Sequence, residues 1–221
     1  MGLDWLVPPS CGGCGHRGTR WCDRCQEKTE VISGDICRYC GKLATASGLC
    51  PSCAQKRPSY TIARSWAVYD GAIRSALHRL KYKRDIGLGE VLARPMVSLA
   101  QKLGWKVDLV IPVPMTAKHL KQRGYNQARL LSKPVAYALQ FPHEDHGLNK
   151  VRETNSQVNL SISEREVNVS GAFRAEPSII QDRSILLIDD IMTTGSTLEA
   201  CSQDLRAGGA KCIYCLTLAR A

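Results

Sequence analysis

The sequence has no apolar run near the roughly 18–20 residues that a membrane-spanning helix needs, which excludes a helical membrane protein. Its opening, MGLDWLVPPS, has neither a basic leader nor a long apolar stretch, so a secretory signal is not expected. No low-complexity segment occurs. Hydrophobic residues at 44% and charged residues at 23% are near globular averages, which excludes a disordered or fibrous chain. What is plentiful is cysteine, with 11 in 221 residues, and positive charge, with 30 Lys+Arg against 20 Asp+Glu. Without a secretory signal the expected compartment is the reducing cytoplasm, where spaced cysteine pairs mean metal before they mean disulfides. The net charge of +10 points to an anionic partner and says nothing of the fold.

Eight cysteines fall in the first 53 residues: Cys11, Cys14, Cys22, Cys25, Cys37, Cys40, Cys50 and Cys53. Their spacing is C-x2-C-x7-C-x2-C and then C-x2-C-x9-C-x2-C. Each C-x-x-C pair forms a turn that presents two thiolates, and two such turns complete a tetrahedral zinc site. Two zinc ions are expected, one per module, although the spacing also allows the modules to interleave. With four thiolates and no water position, such sites are closed and structural rather than catalytic. The same stretch has too few apolar residues to bury a core without a staple. It ends at KRPS, and the texture then changes, so the expected division is a double zinc ribbon over 1–57 and a second domain over 60–221. Arg17, Arg20, Arg24, Lys28, Arg38 and Lys42 in the ribbon either grip nucleic acid or offset the thiolate charge. Two loaded four-thiolate sites, each carrying about −2, would bring the chain to about +6, leaving most of the excess in residues 61–221.

The larger part alternates strand and helix. Strands are expected at 61–70, 107–114, 183–190 and 210–219, and helices at 71–83, 89–103, 126–140 and 196–210. Pro95 should break or bend the second helix, and Pro134 interrupts the third. Nearly continuous apolar strands between helices predict an α/β fold, a mostly parallel sheet covered on both faces. On the last strand Cys212 and Cys215, three apart, point to opposite faces, and with Cys201 they are expected as small core residues.

ILLIDDIMTTGSTLEA, 185–200, is the segment richest in chemistry. A buried strand delivers Asp189 and Asp190 at its C-terminal end, where open α/β sheets bind ligands. Thr193, Thr194, Gly195, Ser196 and Thr197 then lead into a helix, an arrangement of free amides and hydroxyls suited to a phosphate. Adjacent carboxylates accept hydrogen bonds from a vicinal diol, and diol plus phosphate spells a ribose 5-phosphate.

This segment resembles the phosphoribosyl pyrophosphate (PRPP) signature of type I phosphoribosyltransferases. VIPVPMTAKHLKQRGYNQA (110–128) is similar to that family's pyrophosphate loop, and RETNSQVNLSISEREVNVSGAF (152–173) to a hood segment shared with glutamine-dependent PRPP amidotransferases. With two all-cysteine ribbons in front, the chain is identified as resembling the ComF family over nearly its full length. The resemblance implies that Asp189 and Asp190 hold the ribose diol, that 193–197 hold the 5′-phosphate, and that Thr116, Lys118 and Arg123 meet the pyrophosphate with Mg2+. It implies that Arg152, Thr154, Gln157 and Arg165 close over the site. Displacement of pyrophosphate needs charge placement more than a general base, and no base or acceptor pocket is legible.

Three functions follow as expectations. One is a PRPP-binding protein of natural transformation that handles single-stranded DNA or uses external DNA, with competence or helicase proteins as partners. Another is an active phosphoribosyltransferase of nucleotide metabolism. The last is a nucleic-acid adaptor with a vestigial PRPP site. For DNA, the candidate residues are Arg79, Lys81, Tyr82, Lys83 and Arg84, basic side chains beside a stacking ring, against the plainer reading of a solvated helix end. His143 and His146 are expected to be solvent-exposed rather than metal ligands.

Overall fold

The computed structural model describes residues 8–153, 169 and 171–221. In chain order the elements are α1 (Asp23–Glu27), α2 (Pro51–Gln55), β1 (Ile62–Val68), α3 (Gly71–Tyr82), α4 (Leu88–Leu103), β2 (Leu109–Pro112), α5 (Ala117–Arg123), α6 (Gln127–Leu139), β3 (Leu148–Lys150), β4 (Phe173–Ala175), α7 (Pro177–Ile180), β5 (Ser184–Met192), α8 (Ser196–Ala207) and β6 (Cys212–Arg220). Four strands form one parallel sheet in the order β1-β6-β5-β2, and β3 pairs antiparallel with β4.

Period-two alternation along β5 divides the interior. Ile185 and Leu187 face one core and Leu186 and Ile188 the other. The second core is closed by α3, α4 and α6, through Leu77, Leu80, Leu92, Met96 and Leu131 among others. The first is closed by α8 and, beside it, by Cys37, Cys40, Cys50 and Cys53, so the second cysteine module covers part of the sheet that a helix would otherwise cover. Both sheet edges are also paired. Ile32 N–H donates to Trp66 O at 2.9 Å and Ala63 N–H to Tyr39 O at 2.7 Å along β1. Along β2, Val110 N–H donates to Pro142 O and Glu144 N–H to Val110 O. An edge satisfied in this way offers no template for another strand.

Four local expectations need correction. Pro95 lies well inside α4 and Pro134 inside α6, and both helices continue through them. Both rings are half-buried at the helix margin, and the carbonyl freed by Pro134 is that of Leu130, against which Gly89 of α4 packs. Cys212 is half-buried, unlike Cys201 and Cys215, because it opens β6 at the sheet's margin. His143 is half-buried too, its Nε2 2.8 Å from Ser132 Oγ, since residues 142–144 run along the edge of β2; His146 is exposed as expected.

Gly89 yields the first testable consequence. A Cβ there would lie 2.8 Å from Leu130 Cβ and 2.9 Å from its carbonyl oxygen. Gly89→Ala should therefore destabilise the protein by about 1–3 kcal/mol by forcing α4 from α6. Urea unfolding checks this; an unchanged midpoint would show that the helices can part freely.

Candidate functional site

The cysteines assort by module. Cys11, Cys14, Cys22 and Cys25 form one cluster and Cys37, Cys40, Cys50 and Cys53 another, with all sulfurs of a cluster within 4.8 Å of one another. Interleaving is thereby settled against. Sγ–Sγ separations of 3.6 Å for Cys11–Cys25 and Cys14–Cys22, and 3.5 Å for Cys40–Cys50, are near the edge of about 3.8 Å of a tetrahedron with Zn–S bonds near 2.3 Å. All eight thiols are free. The first cysteine of each module is poised alike: burial would raise it, but the amide donors around it outweigh burial and bring Cys11 and Cys37 down to about 6. These are two zinc-binding sites of four cysteines each.

The modules grip different parts of the sheet domain. In the first, Arg79 of α3 donates to Cys11 O and Ser10 Oγ, both at 2.9 Å, and to Asp85 at 2.6 Å, while Arg20 pairs with the other Asp85 oxygen. In the second, Arg220 at the end of β6 is only 8% exposed; its Nη1 donates to Cys40 O at 2.7 Å and lies 3.2 Å from Met192 Sδ. Met192 directly precedes the hydroxyl-rich turn. Gly195 within that turn has φ of +90°, a left-handed conformation that L side chains rarely adopt, so the backbone there requires glycine.

A cavity of about 430 Å³ opens beyond the C-terminal ends of β2 and β5. Asp189 and Asp190 are 8% and 3% exposed, and both line it. Asp190 N–H donates to Asp189 Oδ1 at 2.8 Å, and Lys81 Nζ lies 2.5 Å from Asp190 Oδ2. Burial and then the Asp190 charge hold the Asp189 carboxyl well above the usual carboxylate range. For Asp190 burial pulls the same way, but Lys81 outweighs it and holds this carboxyl below that range. Proton loss is therefore easier at Asp190, where the Lys81 ammonium sits, than at Asp189. Arg123 and Lys150 line the same cavity, as do His119, Gln127, Thr193 and Thr197.

The residues singled out in the sequence fall into distinct places. Thr193 and Thr197 face the carboxylate cavity, whereas Thr194, Gly195 and Ser196 line a smaller one of about 140 Å³ towards the second zinc module. Thr116 is buried as the N-cap of α5, accepting from His119 N–H, and Lys118 is exposed and lines neither cavity. Arg123 alone of that trio reaches the site, where Nη1 donates to Gln127 Oε1. Arg152 is exposed, and Thr154, Gln157 and Arg165 lie outside the described residues. Of the candidate DNA residues, Arg79 is held by the first zinc module and Lys81 by Asp190. Tyr82 is 64% exposed, and Lys83 and Arg84 are exposed with it. Arg123 sits over the Tyr82 ring at 5.6 Å, and an adjoining cavity of about 360 Å³, lined by Tyr82, Arg84 and Gln122, shares Lys81, His119 and Arg123 with the carboxylate cavity. The sequence reading missed Lys81 as a cavity residue, together with His119, Gln127, Lys150 and Phe173, which come from separate elements that only the fold brings together.

Comparison with known proteins agrees with this layout. The double zinc ribbon domain matches residues 2–54, and the phosphoribosyl transferase domain matches residues 90–221. The DNA utilization protein YhgH of Escherichia coli (strain K12) is 30% identical over 225 residues, covering 99% of this chain and 97% of its own. Competence protein F of Haemophilus influenzae is 31% identical, covering 90% of each chain. Competence protein ComFC of Bacillus subtilis is 26% identical, covering 90% of this chain and 83% of its own.

Proposed function

The chain belongs to the ComF family, a double zinc ribbon joined to a phosphoribosyltransferase domain, and from that premise we propose that it binds PRPP and serves DNA utilisation or competence, as its relatives' names describe. One observation carries the PRPP reading: a buried acidic pair and two hydroxyls of the turn, Thr193 and Thr197, share a single cavity with Lys81, Arg123 and Lys150. In this reading the ribose diol meets Asp189 and Asp190, and the 5′-phosphate meets the turn at 193–197, where α8 begins. The diphosphate lies towards Arg123, His119 and Lys150. Calorimetry of zinc-loaded protein with PRPP and Mg2+ should give saturable heat at one ligand per chain. No heat at millimolar PRPP would overturn the reading.

The adjoining cavity favours a second element of the proposal, a single strand of DNA passing over Tyr82. An exposed ring beside Lys83 and Arg84 supplies a stacking face and phosphate contacts, and base stacking on such a ring is worth about 1–3 kcal/mol. Lys83→Gln with Arg84→Gln should weaken binding to an oligothymidine and lower its log–log salt slope by about 1.4, or 0.7 per phosphate contact. An unaltered slope would move the strand elsewhere. Whether turnover accompanies binding is decided by screening acceptors for pyrophosphate release.

A further inference from the structure

Lys81 lies outside the region matched to phosphoribosyltransferases, which begins at residue 90, yet its ammonium nitrogen is 2.5 Å from Asp190 inside the carboxylate cavity. Its position is built. Ile73, Ala76, Leu77 and Leu80 bury one face of α3, and Arg79 clamps the end of that helix to the first zinc module and to Asp85. Lys81 is therefore delivered into the cavity by an anchored helix, with only 21% of its side chain exposed. Three cations and two carboxylates line this cavity. The charge they offer suits a ligand with several negative charges. A divalent ion is less well served: Asp190 already has an ammonium ion in contact, and Asp189 is engaged by the Asp190 amide.

We propose that Lys81 is a ligand-binding residue of this site, a resident cation that answers Asp190 and then the diphosphate of a diol-bearing sugar, so that the protein holds such a ligand without a divalent metal ion. The proposal rests on the PRPP reading above. It assigns to a residue of the zinc-anchored helix α3 a charge that would otherwise have to arrive with the ligand.

The test is PRPP calorimetry on zinc-loaded protein in magnesium-free buffer and again with added Mg2+; chelators are avoided because they would attack the cysteine sites. Wild type should differ by less than about threefold between the two conditions, since the protein supplies the cation. Lys81→Met should bind at least about 30-fold more weakly in magnesium-free buffer and recover part of that loss when Mg2+ is added. Lys81→Arg, which keeps the charge, should retain more affinity than Lys81→Met. Wild-type binding that requires Mg2+ overturns the proposal while leaving the PRPP reading intact, and this arm needs no variant to fold. A Lys81→Met protein indistinguishable from wild type in both buffers also overturns it. No PRPP binding under either condition removes the reading and the proposal together.

Discussion

Cys53→Ser should unfold the whole protein, whereas Cys14→Ser should release one zinc ion and leave the sheet domain standing. All four ligands of the second module are buried, and they share a core with Ala63 of β1, Ile185 and Leu187 of β5 and Leu198 of α8. The first module is more open: Cys14 is exposed and Cys22 half-buried. Binding of a structural zinc ion contributes about 10–16 kcal/mol to a folded ribbon. A whole domain is stable by only about 5–15 kcal/mol, so a site embedded in the main core cannot be lost locally. Removing the ion also leaves Arg220 buried beside a module that no longer holds its shape. The first module is held mainly at its rim. If it loosens, Arg79 loses Cys11 O and Ser10 Oγ but keeps Asp85 at 2.6 Å. Zinc analysis with thermal unfolding separates the cases. The expected results are one ion and a transition lowered by about 10 °C or less for Cys14→Ser, against no cooperative transition for Cys53→Ser. A Cys53→Ser protein that melts like wild type would show that the ribbon is a passive appendage.

The difference between the modules also shows which parts of the fold could be read in advance. Strand and helix positions were legible because the apolar residues repeat at the right periods, and the zinc ligands because C-x-x-C spacing has few other uses. Pro95 and Pro134 misled because the cost of an interior proline depends on how neighbouring helices pack around it, which no local pattern records. The acidic pair and the hydroxyl turn are contiguous, so they stood out. Lys81, His119, Lys150 and Phe173 come from four separate stretches, and no local pattern joins them. Lys81 in particular sits in a run of basic residues that reads as a surface, and only the tertiary contact with Asp190 separates it from Lys83 and Arg84.

Asp190→Asn and Asp189→Asn should behave very differently, although the two residues are neighbours and both buried. Asp190 carries the charge that Lys81 answers, so its amide variant leaves a buried ammonium ion unpaired, a change that costs about 3–5 kcal/mol. PRPP affinity should fall at least about 100-fold, since both a diol acceptor and the placement of Lys81 are lost. Adding Lys81→Met to Asp190→Asn should recover part of the stability, because the orphaned charge is then gone. Burial first and the Asp190 charge second raise the Asp189 carboxyl well above the usual carboxylate range, so below that raised value Asp189→Asn changes little more than one hydrogen-bonding atom. Near pH 4, before the unfolded chain has released this proton, its stability should stay within about 1 kcal/mol of wild type.

The pH profile separates the pair further. Asp190, with its folded value lowered, contributes stability that is present above the unfolded carboxylate value near 3.9 and lost as pH falls through the folded value. Asp189 works in the opposite sense. The folded protein keeps a proton that the unfolded chain has released, so stability declines as pH rises from about 3.9 towards the raised folded value. Lys81, raised by Asp190 against the effect of burial, contributes below its unfolded value near 10.4 and ceases to contribute as pH climbs through the folded one. Asp189→Asn removes only the middle contribution. Its stability relative to wild type should therefore increase with pH above about 4, while both proteins still weaken together in strong alkali. Urea unfolding at pH 5, 6, 7 and 8 measures this directly, and parallel profiles for the two proteins would show that Asp189 is charged at neutral pH and that the pair meets its ligand as a dianion.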